Sequence, residues 1–204
     1  QIMTHRIYYL TDGRKIDYRY QYDYSEDGRL EKIDYYYNRY FENGYAEYTY
    51  NYDMYYQNIY IWDDALQDYI TKEKQVVDAT MYSYQYNENG YRRKVREYIY
   101  GYERDVEDNY IKSYNYKYTT WDLSGKTTYK YEYNYLRYDK EHFEYVTLHR
   151  IYTDYATGNK IDHRTHTNYF KNGKVRSDYL DKSIKDADGT LLEVHYKDVM
   201  YNTD

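Results

Sequence analysis

The sequence predicts an all-β protein, a large antiparallel meander of about 11–13 strands. Three observations carry that reading. Tyrosine supplies 41 of the 204 residues and recurs at every second position over long stretches, as in DYRYQYDY at residues 17–24. Asp-Gly and Asn-Gly dipeptides interrupt those stretches at near-regular intervals. Proline is absent, where ordinary usage of about 5% would supply roughly ten.

Each observation has a physical cause. Alternation of period two sends successive side chains to opposite faces of a strand, so a run of every-second tyrosines tiles one face of a sheet. Proline cannot donate to a ladder, so its absence fits a chain almost wholly in strands. The turns run in order as Asp12-Gly13, Asp27-Gly28, Asn43-Gly44, Asn89-Gly90, Asn172-Gly173 and Asp188-Gly189, with Ser124-Gly125 and Thr157-Gly158 of the same kind. A type I′ hairpin turn needs positive φ at both central residues, which such dipeptides tolerate. Gly13, Gly28 and Gly44 lie 15 and 16 residues apart, as do Gly158, Gly173 and Gly189. Polar pairs fill the gaps: Gln57-Asn58 or Asp63-Asp64, Asp108-Asn109, and Asp139-Lys140. WDDALQDYITKEKQ, in the region 57–80, admits one turn, two turns or a short helix. One strand per ~16 residues makes 1–204 a single β-meander repeat domain.

The turns also set register. A two-residue loop at Asp27-Gly28 pairs Glu26 with Arg29 and brings Tyr22 opposite Ile33, Tyr20 opposite Tyr35 and Tyr18 opposite Tyr37. The same rule at Asn43-Gly44 extends these into rows: Tyr18–Tyr37–Tyr50, Tyr20–Tyr35–Tyr52 and Tyr22–Ile33–Met54. Ser124-Gly125 aligns Tyr118 with Tyr131, Tyr116 with Tyr133 and Tyr114 with Tyr135. A slip of one residue would destroy every row at once. The opposite face carries Arg19, Gln21, Asp23, Lys32, Asp34, Asn51 and Asp53, with Asp23 opposite Lys32 and Asp34 opposite Asp53.

No helical period offers a second layer. Leu, Ile, Val and Phe together are 32 of 204 residues, too few for a thick sandwich core. The expectation is a single-layer sheet, or one curled until its tyrosine face meets itself. Tyrosine suits both, because its ring packs while its hydroxyl reaches water.

Charge narrows the partners. With 29 basic against 35 acidic residues and a net charge of −6, the chain lacks the basic surplus that binds nucleic acid. No stretch approaches the ~18 apolar residues of a membrane helix. A membrane barrel would need an apolar outer band, and here that band would be mostly tyrosine hydroxyls. There is no cysteine, so disulfides and thiolate metal sites are excluded. A start at Gln1 rather than Met reads as a processed mature region and points to export.

The stretch from Tyr22 to Leu30, YDYSEDGRL, resembles the YD repeats of bacterial Rhs and toxin-complex shell proteins. So do Tyr86 to Tyr91 (YNENGY) and Tyr169 to Lys174 (YFKNGK). In those families the repeats build a β-sheet shell, with about 20 residues per hairpin against ~16 per strand here, so the resemblance implies the hairpin chemistry and not the cocoon. The whole chain also resembles small tyrosine-rich exported proteins of unknown function from gut Bacteroidetes, which implies an extracellular or bacterial cell-surface location.

Candidate chemistry is sparse. His163 and His166, three apart on a strand, fall on opposite faces. A four-residue reversal at Ala156–Asn159 places His149 opposite His166, but no third ligand is evident, so no metal is expected. Asp186-Ala187-Asp188-Gly189 has the look of a calcium loop, yet the EF-hand spacing would put Ile184 first and His195 last, so it reads as a turn. No nucleophile elbow, phosphate loop or dinucleotide fingerprint occurs. Facing acids such as Asp34 and Asp53 arise by chance among 35, and a glycosidase would need its pair in a cleft. The expectation is a non-enzymatic extracellular binding or adhesion module without cofactor, taking a glycan or a surface protein. Its contact residues are Tyr18, Tyr20, Tyr35, Tyr37, Tyr50 and Tyr52, with Trp62 and Trp121 as stacking platforms ahead of turns. The alternative is a structural repeat whose tyrosines are internal packing and whose open edges allow edge-to-edge self-association.

Overall fold

The computed structural model describes residues 1–86, 92–122, 124–154 and 156–202. Every element is a strand: β1 (Ile2–Tyr9), β2 (Lys15–Tyr24), β3 (Leu30–Tyr40), β4 (Ala46–Asp63), β5 (Asp68–Tyr86), β6 (Arg92–Asp105), β7 (Tyr110–Trp121), β8 (Thr127–Arg137), β9 (Phe143–Thr153), β10 (Lys160–Tyr169), β11 (Val175–Lys185) and β12 (Leu191–Met200). They hydrogen-bond in chain order as one open 12-stranded antiparallel meander. The backbone divides into two compact units, Gln1–Lys94 with Ile99–Ile111, and Val95–Tyr98 with Lys112–Asp204.

The expected rows are present. Tyr18 pairs with Tyr37, Tyr20 with Tyr35 and Tyr22 with Ile33 across β2 and β3. Tyr37 then pairs with Tyr50, Tyr35 with Tyr52 and Ile33 with Met54 across β3 and β4. In the second unit Tyr118, Tyr116 and Tyr114 pair with Tyr131, Tyr133 and Tyr135. The turns that set these rows differ from the expected two-residue type I′ form. Ser25 N–H donates to Arg29 O and Gly28 N–H to Ser25 O, so the loop has three residues, Glu26, Asp27 and Gly28. Gly28 alone takes positive φ, at 84°, and Asp27 does not. This is a type I turn closed by a glycine bulge. The added loop residue is offset by a register shift between Asp23 and Tyr24, so the rows beyond it are those a two-residue loop would give. The same bonding pattern closes Leu10–Arg14, Phe41–Tyr45, Asp122–Lys126, Phe170–Lys174 and Asp186–Thr190. Asn89-Gly90 lies outside the described residues.

The region 57–80 holds one turn and no helix. β4 and β5 are 18 and 19 residues long, and only Asp64–Gln67 separates them, with Ala65 and Leu66 N–H donating to Asp63 Oδ1. Without a glycine, Gln67 itself carries the positive φ, at 52°. The pairing of β3 with β4 ends at Tyr55, so the far end of the β4–β5 hairpin projects past β3.

The first unit's small core lies along β5. Met54, Val76, Val77 and Ala79 are its buried hydrophobic residues, and Val77 is the most enclosed. Met54 faces Val77 and Tyr52 faces Ala79 on the tyrosine side. Burial raises the Tyr52 hydroxyl pKa most, and the charges of Tyr102, Tyr50 and Tyr100 add to it. Tyrosines thus roof aliphatics on the central strand, and large rings do the burying that a second layer does elsewhere.

Candidate functional site

The predicted tyrosines form one continuous patch in the first unit. Tyr18, Tyr20, Tyr35, Tyr37, Tyr50 and Tyr52 are all half-buried. The described residues contain one sheet, no helix and no second sheet. Tyr8 stacks on Tyr18 with centroids 5.6 Å apart, and Tyr18 stacks on Tyr20 at 6.0 Å. Across strands the rings of this patch meet diagonally rather than along the rows. Tyr35 meets Tyr50 edge-on at 5.8 Å, and Tyr37 meets Tyr48 at 5.8 Å. The second unit shows the same offset in Tyr116 on Tyr131 at 5.7 Å and Tyr118 on Tyr129 at 5.8 Å, while Tyr114 stacks on its direct partner Tyr135 at 5.4 Å. Sheet twist rotates neighbouring strands by roughly 20–25°, which brings diagonal side chains within aromatic reach.

The patch has weak electrostatic texture. Burial, more than neighbouring rings, raises the hydroxyl pKa values of Tyr35, Tyr48 and Tyr52. At the open edge Tyr8 and Tyr18 share a hydroxyl hydrogen bond of 3.1 Å, and Arg6 donates to Tyr8 at 3.5 Å.

The tryptophans part company. Trp62 sits on the tyrosine side of the projecting β4–β5 hairpin, 48% exposed, with Tyr60 73% and Tyr69 65% exposed around it. Its Nε1 donates to Asp64 Oδ1 at 3.0 Å and its ring meets Tyr69 edge-on at 5.3 Å. Trp121 belongs to the second unit, is half-buried, and falls on the face opposite Tyr118 at the bulge where it pairs with Thr127. Trp121 is not part of a tyrosine platform.

Sequence reasoning aligned the second unit's tyrosines but did not single them out as a site. Tyr114, Tyr116, Tyr118, Tyr129, Tyr131 and Tyr133 line an open groove of about 340 Å³ between β7 and β8. A larger recess of about 860 Å³ shares Tyr129 and Tyr131 and adds Arg150, Tyr152, Asp154 and three threonines. The Arg150 guanidinium lies 5.3 Å from the Tyr131 ring centroid. The signal for this site was the triple tyrosine match at Ser124-Gly125.

The histidine expectation is corrected. His149 pairs with Arg164, and His166 with Thr147. Asp154 and Asn159 close the turn, two residues out of step with the expected reversal, so the imidazoles are not opposed. His149 instead bridges Glu132 at 3.3 Å and Asp162 at 3.0 Å. Among the described residues no three His, Asp or Glu side chains form a cluster that could hold a metal.

Asp34 does oppose Asp53, and Asp53 in turn opposes Asp78. Burial raises the Asp53 pKa most, followed by its hydrogen bond to Asp34 and the charges of Asp34 and Asp78, against a lowering by Lys32. A carboxyl raised in the fold binds its proton at a higher pH than the unfolded chain does. Its charge therefore weakens the fold above the folded pKa, and that cost fades as pH falls toward the unfolded value near 3.9. Asp53→Asn should stabilise the protein at pH 7 by about 0.2–1 kcal/mol, the scale of a cross-strand like-charge pair. Paired urea titrations at pH 7 and pH 4 check it. An advantage that persists undiminished at pH 4 would rule out the charge explanation.

No protein-family model and no curated protein matches the chain. Among solved structures it is similar to a protein of unknown function from Bacteroides fragilis, at 10% identity over 72% of this chain and 91% of that one, with a TM-score of 0.22, a likeness too slight to carry an argument.

Proposed function

We propose that the chain is a non-enzymatic binding module, exported to the cell surface or beyond, whose tyrosine-tiled face takes up a glycan or a surface protein. The observation that supports this most is the half-exposure of the tyrosine patches in a fold whose described residues form one sheet and no helix. A chain requiring only stability is served by Val and Ile, which are better strand formers for a dry face. Rigid rings ending in hydroxyls contact partners at low entropic cost while tolerating water. Export rests on the resemblance to exported tyrosine-rich proteins.

Glycan-array binding of three proteins tests the proposal: the wild type, Tyr35→Ala/Tyr37→Ala and Tyr116→Ala/Tyr131→Ala. Two lost rings should weaken binding roughly tenfold while the β-sheet circular dichroism persists. Wild-type affinity in both doubles, or unfolding of both, would make the tyrosines scaffold.

One observation favours assembly as a second reading. β12 is an edge strand with Leu191, Leu192, Val194, Tyr196 and Met200 all more than half exposed. Such an edge is a template for another strand. No glycan bound, with a mass that rises with concentration, would select this reading.

A further inference from the structure

The second unit carries a recess on the face away from its tyrosines, ringed by three hairpin turns. Its volume is about 480 Å³, and its lining includes Lys126, Lys160 and Lys185 together with Thr127, Thr153 and Ser183. Meander geometry explains the gathering. The β7–β8, β9–β10 and β11–β12 turns emerge at the same end, and Lys160 pairs with Thr153 on one side and Lys185 on the other.

The three ammonium groups differ from the other cations of this face. Lys130 pairs with Glu132 at 2.9 Å and Arg164 with Asp162 at 3.4 Å. Lys160 Nζ donates only to a backbone carbonyl, that of Thr127, at 2.9 Å. Among the described residues neither Lys126, Lys160 nor Lys185 has a carboxylate within 4.0 Å. The hydrogen bonds of the lining acids go to groups other than these ammonium ions. Asp122 Oδ1 accepts from Ser124 N–H and Oγ and from Lys126 N–H. Asp186 Oδ1 accepts from Thr190 N–H. Asp162 contacts His149 and Arg164. Burial holds the Lys160 amine below the ordinary lysine range, and the charges of Lys126 and Lys185 push it the same way against Asp162 and Asp122. Lys126 and Lys185 therefore each repel Lys160, which a bound anion would relieve.

We infer that this recess binds a small organic molecule carrying a tetrahedral oxyanion, a phosphate or sulfate ester of about the size of one sugar. Lys126, Lys160 and Lys185 hold the anion, and the hydroxyls of Thr127, Thr153 and Ser183 meet the polar remainder. Size favours an ester over the bare ion, because small-molecule sites run from about 300 to 1,000 Å³ and a water occupies only ~30 Å³. The recess meets the tyrosine-side one at Thr128 and Thr153, but Lys126, Lys160 and Lys185 line this one alone, so their variants test it separately from the tyrosine face.

Isothermal titration calorimetry at low salt tests it with glucose 6-phosphate, glucose 6-sulfate, inorganic phosphate and glucose as separate arms. At least one ester should saturate a single site, inorganic phosphate should bind more weakly, and glucose should not bind. Comparison of the two esters identifies the anion. Lys160→Gln should lower affinity about tenfold, the scale of one charged hydrogen bond. Lys126→Gln/Lys185→Gln changes exposed side chains and should do the same at an unchanged melting temperature, so a folding defect in the first variant leaves a second reading of the site. Silence from both esters, glucose binding as tightly as they do, or wild-type affinity in the Lys126→Gln/Lys185→Gln double would overturn the inference. Inorganic phosphate binding as tightly as the esters would overturn the sugar-sized occupant.

Discussion

Met54→Ala should destabilise the protein by about 2–3 kcal/mol, the low end of the range for emptying a buried methionine site. Met54 is 4% exposed in a sheet with few other enclosed hydrophobic residues. It stands between Ile33 and Val77 in a cross-strand row, and among the described residues there is no helix or second sheet to settle into the space it leaves. The low end applies because flanking tyrosines can tilt partly inward. Met54→Leu keeps the volume and should cost less than about 1.5 kcal/mol. Tyr60→Ala removes a larger side chain, but one 73% exposed on the projecting hairpin, and should stay within about 0.5 kcal/mol of wild type. Urea unfolding of the three variants checks the ordering. A Tyr60→Ala cost matching that of Met54→Ala would mean that stability resides in the rings and not in the aliphatics beneath them.

Gly101→Ala should also destabilise, by about 1–3 kcal/mol, the cost of overpacking. The sign is the informative part, because replacing a glycine within a strand by alanine ordinarily stabilises by roughly 0.5–1 kcal/mol. Gly101 is buried in β6 and is not among the glycines with positive φ, so room rather than backbone conformation demands it. A Cβ there would lie 2.8 Å from Asp78 Oδ1 and 3.2 Å from the Val77 carbonyl. The carboxylate can swing away, whereas Val77 is held in the ladder with Met54. Asp78→Ala should therefore recover part of the loss and not all of it, and a double-mutant cycle reads that coupling directly. A neutral or stabilising Gly101→Ala would show that β6 shifts to make the room.

These two positions mark where reading the chain stops. The rows of Tyr18, Tyr20 and Tyr22 against β3 and β4 follow from alternation and turn spacing alone, because both are local: strand period and loop length set register without knowledge of the rest. They survived even an error in turn type, since the glycine bulge adds one residue to the loop and removes one from the pairing. The single reversal at Asp64–Gln67 was legible only as one option among three. Its positive φ sits on a glutamine, and the dipeptide signal that marks the other turns is missing there. The reversal closed by Asp154 and Asn159 has the expected four-residue length but lies one residue earlier than expected, which shifts the register by two: Gly158 marks the turn but not where it begins, and His149 and His166 lost their pairing with it.

The sequence by itself determined that one face would be tyrosine and that the strands would follow in order, since pattern and turn chemistry are properties of neighbours along the chain. Tertiary structure alone decided which rings touch, because twist turns some rows into diagonals, as at Tyr35 and Tyr50, and leaves others in contact, as at Tyr114 and Tyr135. It also decided that Met54 and Val77 are enclosed while Tyr60 stands open, and that Lys126, Lys160 and Lys185 share one recess. Those outcomes depend on how strands two apart approach across a third. That distance is set by the side chains between them, such as Ala79 and Gly101, and no local period encodes it.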